Sequence, residues 1–187
     1  MSERILLVDD EPNILSALQR LLRHGLRSDD RPGYPIEIFS DPLAALARAR
    51  ETSFALAISD YRMPRMSGVE FLTELRTVQP DCARIILSGY TDLNALIAAI
   101  NEAEISRFIP KPWTDYDLLC TVRQVLRIRE LAIENQRLAD QVRVQQGQIS
   151  AHEAELRRLE RLEPGITHVV WGEDGSFILE DPEAEKP

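Results

Sequence analysis

The sequence is poor in cysteine and in long apolar runs, and each shortage excludes a class of protein. Two cysteines, Cys82 and Cys120, are too few for a disulfide framework or a zinc site, and we expect both to be buried thiols. No apolar run approaches the roughly 18 residues that cross a bilayer, and the N-terminus has no signal-peptide pattern. We therefore expect a cytoplasmic protein without a membrane partner.

The sequence also lacks any cluster of basic residues. It contains 22 basic and 31 acidic residues, for a net charge of −9. Residues 163–187 contribute −6 of this charge through seven acids and one lysine. Because binding to nucleic acids depends largely on basic side chains that contact phosphates, so acidic a chain is a poor candidate for a nucleic-acid partner.

The first 111 residues do contain short apolar runs that alternate with segments long enough for helices. Runs of this length are typical of buried strands in a parallel sheet. The alternation predicts five strand–helix units and a doubly wound α/β fold with right-handed crossovers. The predicted strands are 4–8, 36–39, 54–59, 84–88 and 106–110, and the helices that follow them lie near 12–25, 42–51, 68–78, 92–103 and from 115.

Polar residues stand where these runs end, namely Asp9 and Asp10, Asp60, Ser88 and Lys111. In parallel sheets the ligand site lies beyond the carboxyl ends of the strands, so we expect these side chains to converge. Carboxylates are suitable ligands for Mg²⁺, and an aspartate can also accept a phosphoryl group as a nucleophile. A lysine and a hydroxyl can then bind the phosphoryl oxygens.

Four motifs occur in order at these positions: LLVDDEPN (6–13), SDYRMPRMSG (59–68), LSGY (87–90) and RFIPKPW (107–113). With them the chain resembles the receiver domain of two-component response regulators over residues 3 to about 127. The stretch 100–113 further resembles receivers joined to HD-GYP phosphodiesterases or to NtrC-like activators. The resemblance implies a CheY-like sheet in the order 2-1-3-4-5.

The resemblance also implies roles for the acidic residues. Asp60 would accept a phosphoryl group from a histidine kinase. Mg²⁺ would be the cofactor, held by Asp9, Asp10, Asp60 and the backbone carbonyl of Arg62. Apart from its own phosphorylation and dephosphorylation, we expect the chain to catalyse no reaction.

The remaining landmarks receive roles in the same way. Ser88 and Lys111 would bind the phosphoryl oxygens, with Asp60 completing the catalytic set. Ser88 and Phe108 would form the switch that responds to phosphorylation. The resemblance implies a cis peptide bond between Lys111 and Pro112, which proline makes far less costly than other residues do.

Residues 115–163 contain no proline and a single glycine, Gly147. Their sequence predicts one long helix that continues the last helix of the receiver domain (1–127), with a coiled coil from about residue 128. We expect this helix to pair with its own copy as a parallel homodimer through residues 128–159. The heptad positions a are Ile128, Asn135, Val142, Ile149 and Leu156, and the positions d are Leu131, Leu138, Gln145, His152 and Leu159.

Beyond the helix, residues 164–181 predict a β-hairpin, and residues 182–187 predict a disordered acidic tail. After residue 115 the sequence contains no P-loop and no helix-turn-helix pattern, and no histidine in the chain is followed by aspartate. The favoured hypothesis is therefore a phosphorylation-switched adaptor that binds an unknown downstream protein. The alternatives are feedback on the kinase, a transcription regulator, and an enzyme whose active part is the C-terminal region.

Overall fold

The computed structural model describes residues 3–27, 33–89, 104–147 and 150–162. The strands in these ranges are β1 (Arg4–Val8), β2 (Ile36–Phe39), β3 (Phe54–Asp60), β4 (Ala83–Gly89) and β5 (Arg107–Lys111). The helices are α1 (Pro12–Gly25), α2 (Pro42–Glu51), α3 (Gly68–Val78), α4 (Asp115–Gln145) and α5 (Ala151–Leu162). The predicted helix near 92–103, the predicted hairpin at 164–181 and the predicted tail at 182–187 lie outside the described residues.

The five strands form one parallel sheet in the order β2-β1-β3-β4-β5. The fold class and the strand order predicted from the sequence are therefore confirmed. Strand β3 is central and buried along its whole length. Such a strand is apolar on both faces because helices cover both sides of a parallel sheet.

Proline or a capping side chain stands at the start of three helices. Pro12 occupies the first turn of α1, where a missing amide hydrogen costs nothing. The carboxylate of Asp41 accepts a hydrogen bond from the Leu43 amide at 3.2 Å and caps α2. The hydroxyl of Thr114 accepts one from the Asp117 amide at 3.1 Å and caps α4. These caps satisfy backbone donors that have no partner within the helix.

The core consists of two apolar layers, one on each face of the sheet. Alternate residues of β1 divide between them, since Ile5 and Leu7 belong to one layer and Leu6 and Val8 to the other. The first layer packs the sheet against α1 and the first part of α4, and the second packs it against α2 and α3. The first three turns of α4 thus belong to the globular domain.

The two cysteines differ in environment. Cys82 is buried, and burial raises the pKa of its thiol to about 12, so that it stays protonated at neutral pH. Cys120 is exposed, and the prediction that both thiols are buried is wrong for it. The reason is its place on α4, where Leu118 and Val122 face the core and Cys120 lies between them on the opposite side.

The prediction of one uninterrupted helix over 115–163 is also wrong. Helix α4 ends at Gln145. The amide of Gln146 donates a hydrogen bond to the Val142 carbonyl, and the amide of Gly147 donates one to the Val144 carbonyl. Gly147 has a φ of +69°, the left-handed conformation with which many helices end. A second helix, α5, follows. The coiled-coil pairing itself stays a prediction.

Candidate functional site

The polar residues singled out in the sequence lie along the carboxyl edge of the sheet. Asp9 follows β1, Asp60 ends β3, Ser88 lies near the end of β4, and Lys111 ends β5. Because the strands are parallel, these ends share one edge. All four side chains are largely withdrawn from solvent, and Asp9, Asp60 and Ser88 are buried.

Lys111 joins the two buried carboxylates. Its Nζ donates a hydrogen bond to Asp9 Oδ2 at 2.8 Å and forms an ion pair with Asp60 Oδ1. The exposed fraction of the Asp9 side chain is 1% and that of Asp60 is 10%, so water screens these charges only weakly. The peptide bond between Lys111 and Pro112 is cis.

Burial and pairing act against each other in this group. Burial raises the pKa of Asp9 above its ordinary value, and the hydrogen bond from Lys111 offsets only part of that rise. For Lys111, burial would lower the pKa, but the bonds to Asp60 and Asp9 outweigh burial and raise it. Lys111 is therefore a cation at neutral pH. Positive charge is held where the two carboxylates converge.

Backbone amides fix the orientation of both carboxylates. The amide of Glu11 donates to Asp9 Oδ1 at 2.9 Å, and the amide of Arg62 donates to Asp60 Oδ2 at 2.6 Å. Each aspartate thus binds a loop amide with one oxygen and Lys111 with the other. A carboxylate held in this way loses little further conformational freedom when it reacts, because its orientation is already set.

Asp10 and Arg62 are exposed beside this group. Across the part of the chain that the structure describes, no three histidine, cysteine, aspartate or glutamate side chains are grouped closely enough to hold a metal ion. The structure therefore brings Asp9 and Asp60 together but does not bring Asp10 into a group of three carboxylates. The roles of Asp10 and of the Arg62 carbonyl as metal ligands stay predictions.

Ser88 and Phe108 lie on neighbouring strands. The Ser88 hydroxyl donates to the Gly89 carbonyl at 2.9 Å. Phe108 is half-buried, pairs in register with Ile86, and packs against the core layer that includes α3. Phe108 is the second residue of β5, so its ring lies short of the carboxyl edge that Lys111 reaches. Its role as a switch is not decided by this arrangement and stays a prediction.

Gly68 is a residue of the site whose importance the sequence analysis missed. A Cβ atom built on Gly68 would lie 1.9 Å from the carbonyl oxygen of Asp60 and 2.9 Å from Ser59 Oγ. The Gly68 amide also donates to the Tyr61 carbonyl at 3.0 Å. Helix α3 therefore begins directly against the Asp60 backbone. The available signal was the Ser-Gly pair at the start of this helix, where Ser67 forms a capping box.

In the part of the chain that the structure describes, no helix is both long enough and apolar enough to cross a membrane.

Comparisons with known proteins agree with this geometry. A family model described as the response regulator receiver domain matches residues 5–123. The hydrogenase transcriptional regulatory protein HoxA of Cupriavidus necator is 37% identical over 134 residues, which cover 72% of this chain and 26% of HoxA. The chain thus spans about a quarter of the length of this relative.

Two solved structures are similar in fold. An uncharacterized protein from Neptuniibacter caesariensis has 41% sequence identity and a TM-score of 0.64, covering 71% of this chain and 93% of its own. The signal receiver domain of an HD domain-containing protein from Pseudomonas fluorescens Pf-5 has 35% identity and a TM-score of 0.61, covering 70% and 98% respectively. With the family match and the sheet order in agreement, this chain belongs to the response regulator receiver domain family.

Proposed function

We propose that this protein is a response regulator in which Asp60 accepts a phosphoryl group from a histidine kinase. The observation that carries the proposal is the contact of Lys111 with both Asp9 and Asp60 at the carboxyl edge of the sheet. Receiver domains are signalling modules, and this edge is where a doubly wound fold binds its ligand. The proposed reaction is the transfer of a phosphoryl group to the carboxylate of Asp60.

In this transfer, one carboxylate oxygen of Asp60 attacks the phosphorus of a phosphohistidine. An O–P bond forms, the P–N bond breaks, and the imidazole nitrogen leaves with its electron pair and takes up a proton. Negative charge spreads over the phosphoryl oxygens during this step. Lys111, already placed against Asp60, neutralises part of that charge, and the hydroxyl of Ser88 can turn from Gly89 to donate to a phosphoryl oxygen.

The donor set also fits Mg²⁺. The buried carboxylates of Asp9 and Asp60 share a single ammonium, so the group has a net negative charge that a cation can neutralise. Mg²⁺ prefers hard oxygen ligands and retains several waters, so that one or two protein carboxylates suffice. Asp9, Asp10, Asp60 and the Arg62 carbonyl would hold the ion, which would neutralise charge on the transferred group when bound.

A phosphodonor assay tests the proposed acceptor activity. The purified protein is incubated with a small acyl phosphate and Mg²⁺, and its intact mass is measured over time. We expect the mass to rise by one phosphoryl group, with the increase abolished when EDTA removes the metal. An unchanged mass under all conditions, together with no transfer from any phosphorylated histidine kinase supplied, would overturn the proposal.

Replacing Lys111 with methionine should slow the transfer. Methionine keeps much of the side-chain length and removes the charge, so we expect the initial rate to fall roughly 10²–10³-fold, as when one stabilising donor is lost. The control is Arg107→Met, which removes an exposed cation from the other end of β5. Similar rates for the Lys111 and Arg107 variants would contradict the role given to Lys111.

We further propose that the message leaves by protein–protein contact along α4. This helix packs in the core at its start and runs on without a break to Gln145, so a change in the receiver is carried mechanically into the heptads. HoxA is named as a transcriptional regulatory protein, which supports regulation of transcription as a second candidate. The acidic net charge of −9 disfavours direct DNA contact by this chain.

A pull-down with protein carrying an acyl-phosphate mimic separates these outputs. Capture of a histidine kinase that binds through its own dimerisation helices would support the alternative of feedback on the kinase. Specific retention of promoter DNA would support transcriptional regulation. Capture of a different protein that depends on the mimic would support the adaptor hypothesis.

The heptad stripe on α4 supports the first part of the proposed parallel homodimer through residues 128–159, up to the end of the helix at Gln145. Four apolar residues of the stripe are about half exposed, with fractions of 52% for Ile128, 49% for Leu131, 49% for Leu138 and 48% for Val142. A helix that leaves such a stripe uncovered gains by burying it against a second copy. The polar Asn135 at an a position would favour a parallel dimer in register.

Leu138→Glu should separate the dimer. A charged side chain at a d position cannot replace the apolar surface that leucine buries in the dimer, so we expect the dissociation constant of the dimer to rise at least tenfold. Light scattering across a concentration series measures this constant. The matched control is Leu43→Glu on α2, a leucine with 48% exposure that lies outside the heptads. A wild-type protein that is monomeric at every concentration would remove the dimer. The same measurement on phosphorylated protein shows whether phosphate strengthens or loosens it.

A further inference from the structure

An ion pair joins α5 to α4. Asp140 Oδ1 lies 3.2 Å from Arg143 Nη1 on its own helix and 3.8 Å from Arg157 Nη1 on α5. In one continuous helix, Asp140 and Arg157 would be separated by roughly 26 Å, since each residue adds about 1.5 Å. The pair can therefore exist only when α5 folds back along α4.

Helix α5 lies on the outer face of α4, away from the heptad stripe. The two helices line a groove of about 880 Å³, to which α4 contributes Ile133, Arg137 and Asp140 and α5 contributes Ala154 and Arg158. In the predicted heptads these α4 residues occupy positions c and f. The fold-back therefore leaves the apolar a and d residues of α4 exposed, namely Ile128, Leu131, Leu138 and Val142.

Asp140 is distinctive on this outer face. Its exposed fraction is 9%, and it is the last buried residue of α4, although Arg143 and Arg157 remain about half exposed. A carboxylate shielded from water needs a cationic partner to stay charged. Leu156 of α5, by contrast, keeps 38% of its surface exposed. A charged contact therefore joins the two helices.

The turn depends on the backbone of Gly147. Its φ of +69° is costly for residues with a Cβ atom, yet a Cβ built there would meet no atom within 4 Å. The position therefore has space for a side chain, and only the backbone conformation favours glycine. Glycine is also a poor residue within a helix. One residue thus both favours the turn and disfavours its straightening.

We propose that Gln146 and Gly147 form a hinge, and that the Asp140–Arg157 ion pair latches α5 against the outer face of α4. In the closed arrangement the heptad positions of α5, including His152, Leu156 and Leu159, cannot continue the stripe of α4. In the open arrangement one helix would present the whole repeat. The hinge acts within one chain, and only its effect on pairing through the heptad stripe rests on the proposed dimer.

Distances between two spin labels test the hinge directly. Cysteines replace Glu134 and Glu155 in a Cys120→Ser background, because both glutamates are exposed and line the same groove. The exposed pairs lost with them, to Arg137 and Arg158, lie within single helices and contribute little. A continuous helix would place these two positions roughly 32 Å apart. We expect a clearly shorter main distance in the wild-type turn.

Labelled chains are mixed with an excess of unlabelled protein, so that each distance arises within one chain whether or not the protein dimerises. Gly147→Ala should shift the ratio of closed to open chains on the order of thirtyfold towards the long distance, because alanine disfavours positive φ and favours helix. Gly147→Asn is the control, since asparagine tolerates positive φ and should keep the short distance.

Asp140→Asn should shift the same ratio several-fold, while Glu130→Gln, which alters an acid bonded within α4 to Arg127, should leave it unchanged. A long main distance in the wild-type turn would overturn the hinge. So would a Gly147→Ala distribution equal to that of Gly147→Asn. Both results would leave the phosphoryl-acceptor proposal untouched, because that proposal depends on a separate assay.

Discussion

Asp60→Asn should yield a folded protein that takes up no phosphoryl group from an acyl phosphate or from a phosphorylated histidine kinase. The amide of asparagine is not a nucleophile, so the O–P bond cannot form. The substitution preserves shape, and the Arg62 amide, which lies 2.6 Å from Asp60 Oδ2, can still bond to the amide oxygen. The measurement is intact mass after incubation with the donor and Mg²⁺, with circular dichroism to verify the fold.

The control for this variant is Asp41→Asn. Asp41 also follows a strand at the carboxyl edge, where it caps α2 and forms an ion pair with Arg65 at 3.3 Å. Asparagine caps helices as well as aspartate does, so we expect full phosphoryl uptake by this variant. Uptake by Asp60→Asn equal to that of the control would show that the phosphate resides on another residue and would remove Asp60 from its proposed role.

Gly68→Ala should destabilise the domain by roughly 3 kcal/mol or more, as overpacking against rigid backbone does. The added methyl would meet the Asp60 carbonyl oxygen at 1.9 Å, far inside contact distance, and that oxygen also accepts from Ser59 Oγ at 2.9 Å. Relief requires α3 to move away from the end of β3. The end of β3, which carries Asp60, would then be displaced as well.

Urea unfolding measures the free energy of unfolding. The phosphodonor assay measures the rate of phosphoryl uptake, which falls if Asp60 is displaced. The matched control is Gly89→Ala at the end of β4, where an added Cβ would meet no atom within 4 Å. We expect the free energy of unfolding of the control to lie within about 0.5 kcal/mol of the wild-type value, as for most surface substitutions. Equal stability of the two variants would show that α3 does not press on β3 as the structure indicates.

The sheet and the acidic edge were predictable because their signals are local. Short apolar runs place the strands, and the residue after each run lies at the carboxyl end of its strand. Parallel order then brings Asp9, Asp60 and Lys111 to one edge whatever the details of packing. Caps such as Asp41 and Thr114 were predictable for the same reason, since each bonds within a few residues of itself.

Three features escaped prediction, two of them because they depend on packing between distant parts of the chain. Cys120 faces solvent because α4 turns its neighbouring residues Leu118 and Val122 towards the core. Gly68 touches the Asp60 backbone because of the angle at which α3 leaves the sheet. The helix break at Gly147 had a visible signal in the glycine itself, but the heptad pattern continues across it.

By itself the sequence determined the strands, the helix starts, the acidic edge and the heptad stripe of this protein. Each of these follows from periodicity or from bonds between near neighbours. The tertiary structure alone decided that Lys111 bonds to Asp9, 102 positions away, while also touching Asp60. It also decided that α5 folds back to place Arg157 beside Asp140. Such contacts depend on how whole elements pack, and packing is a property of the assembled chain that no local pattern records.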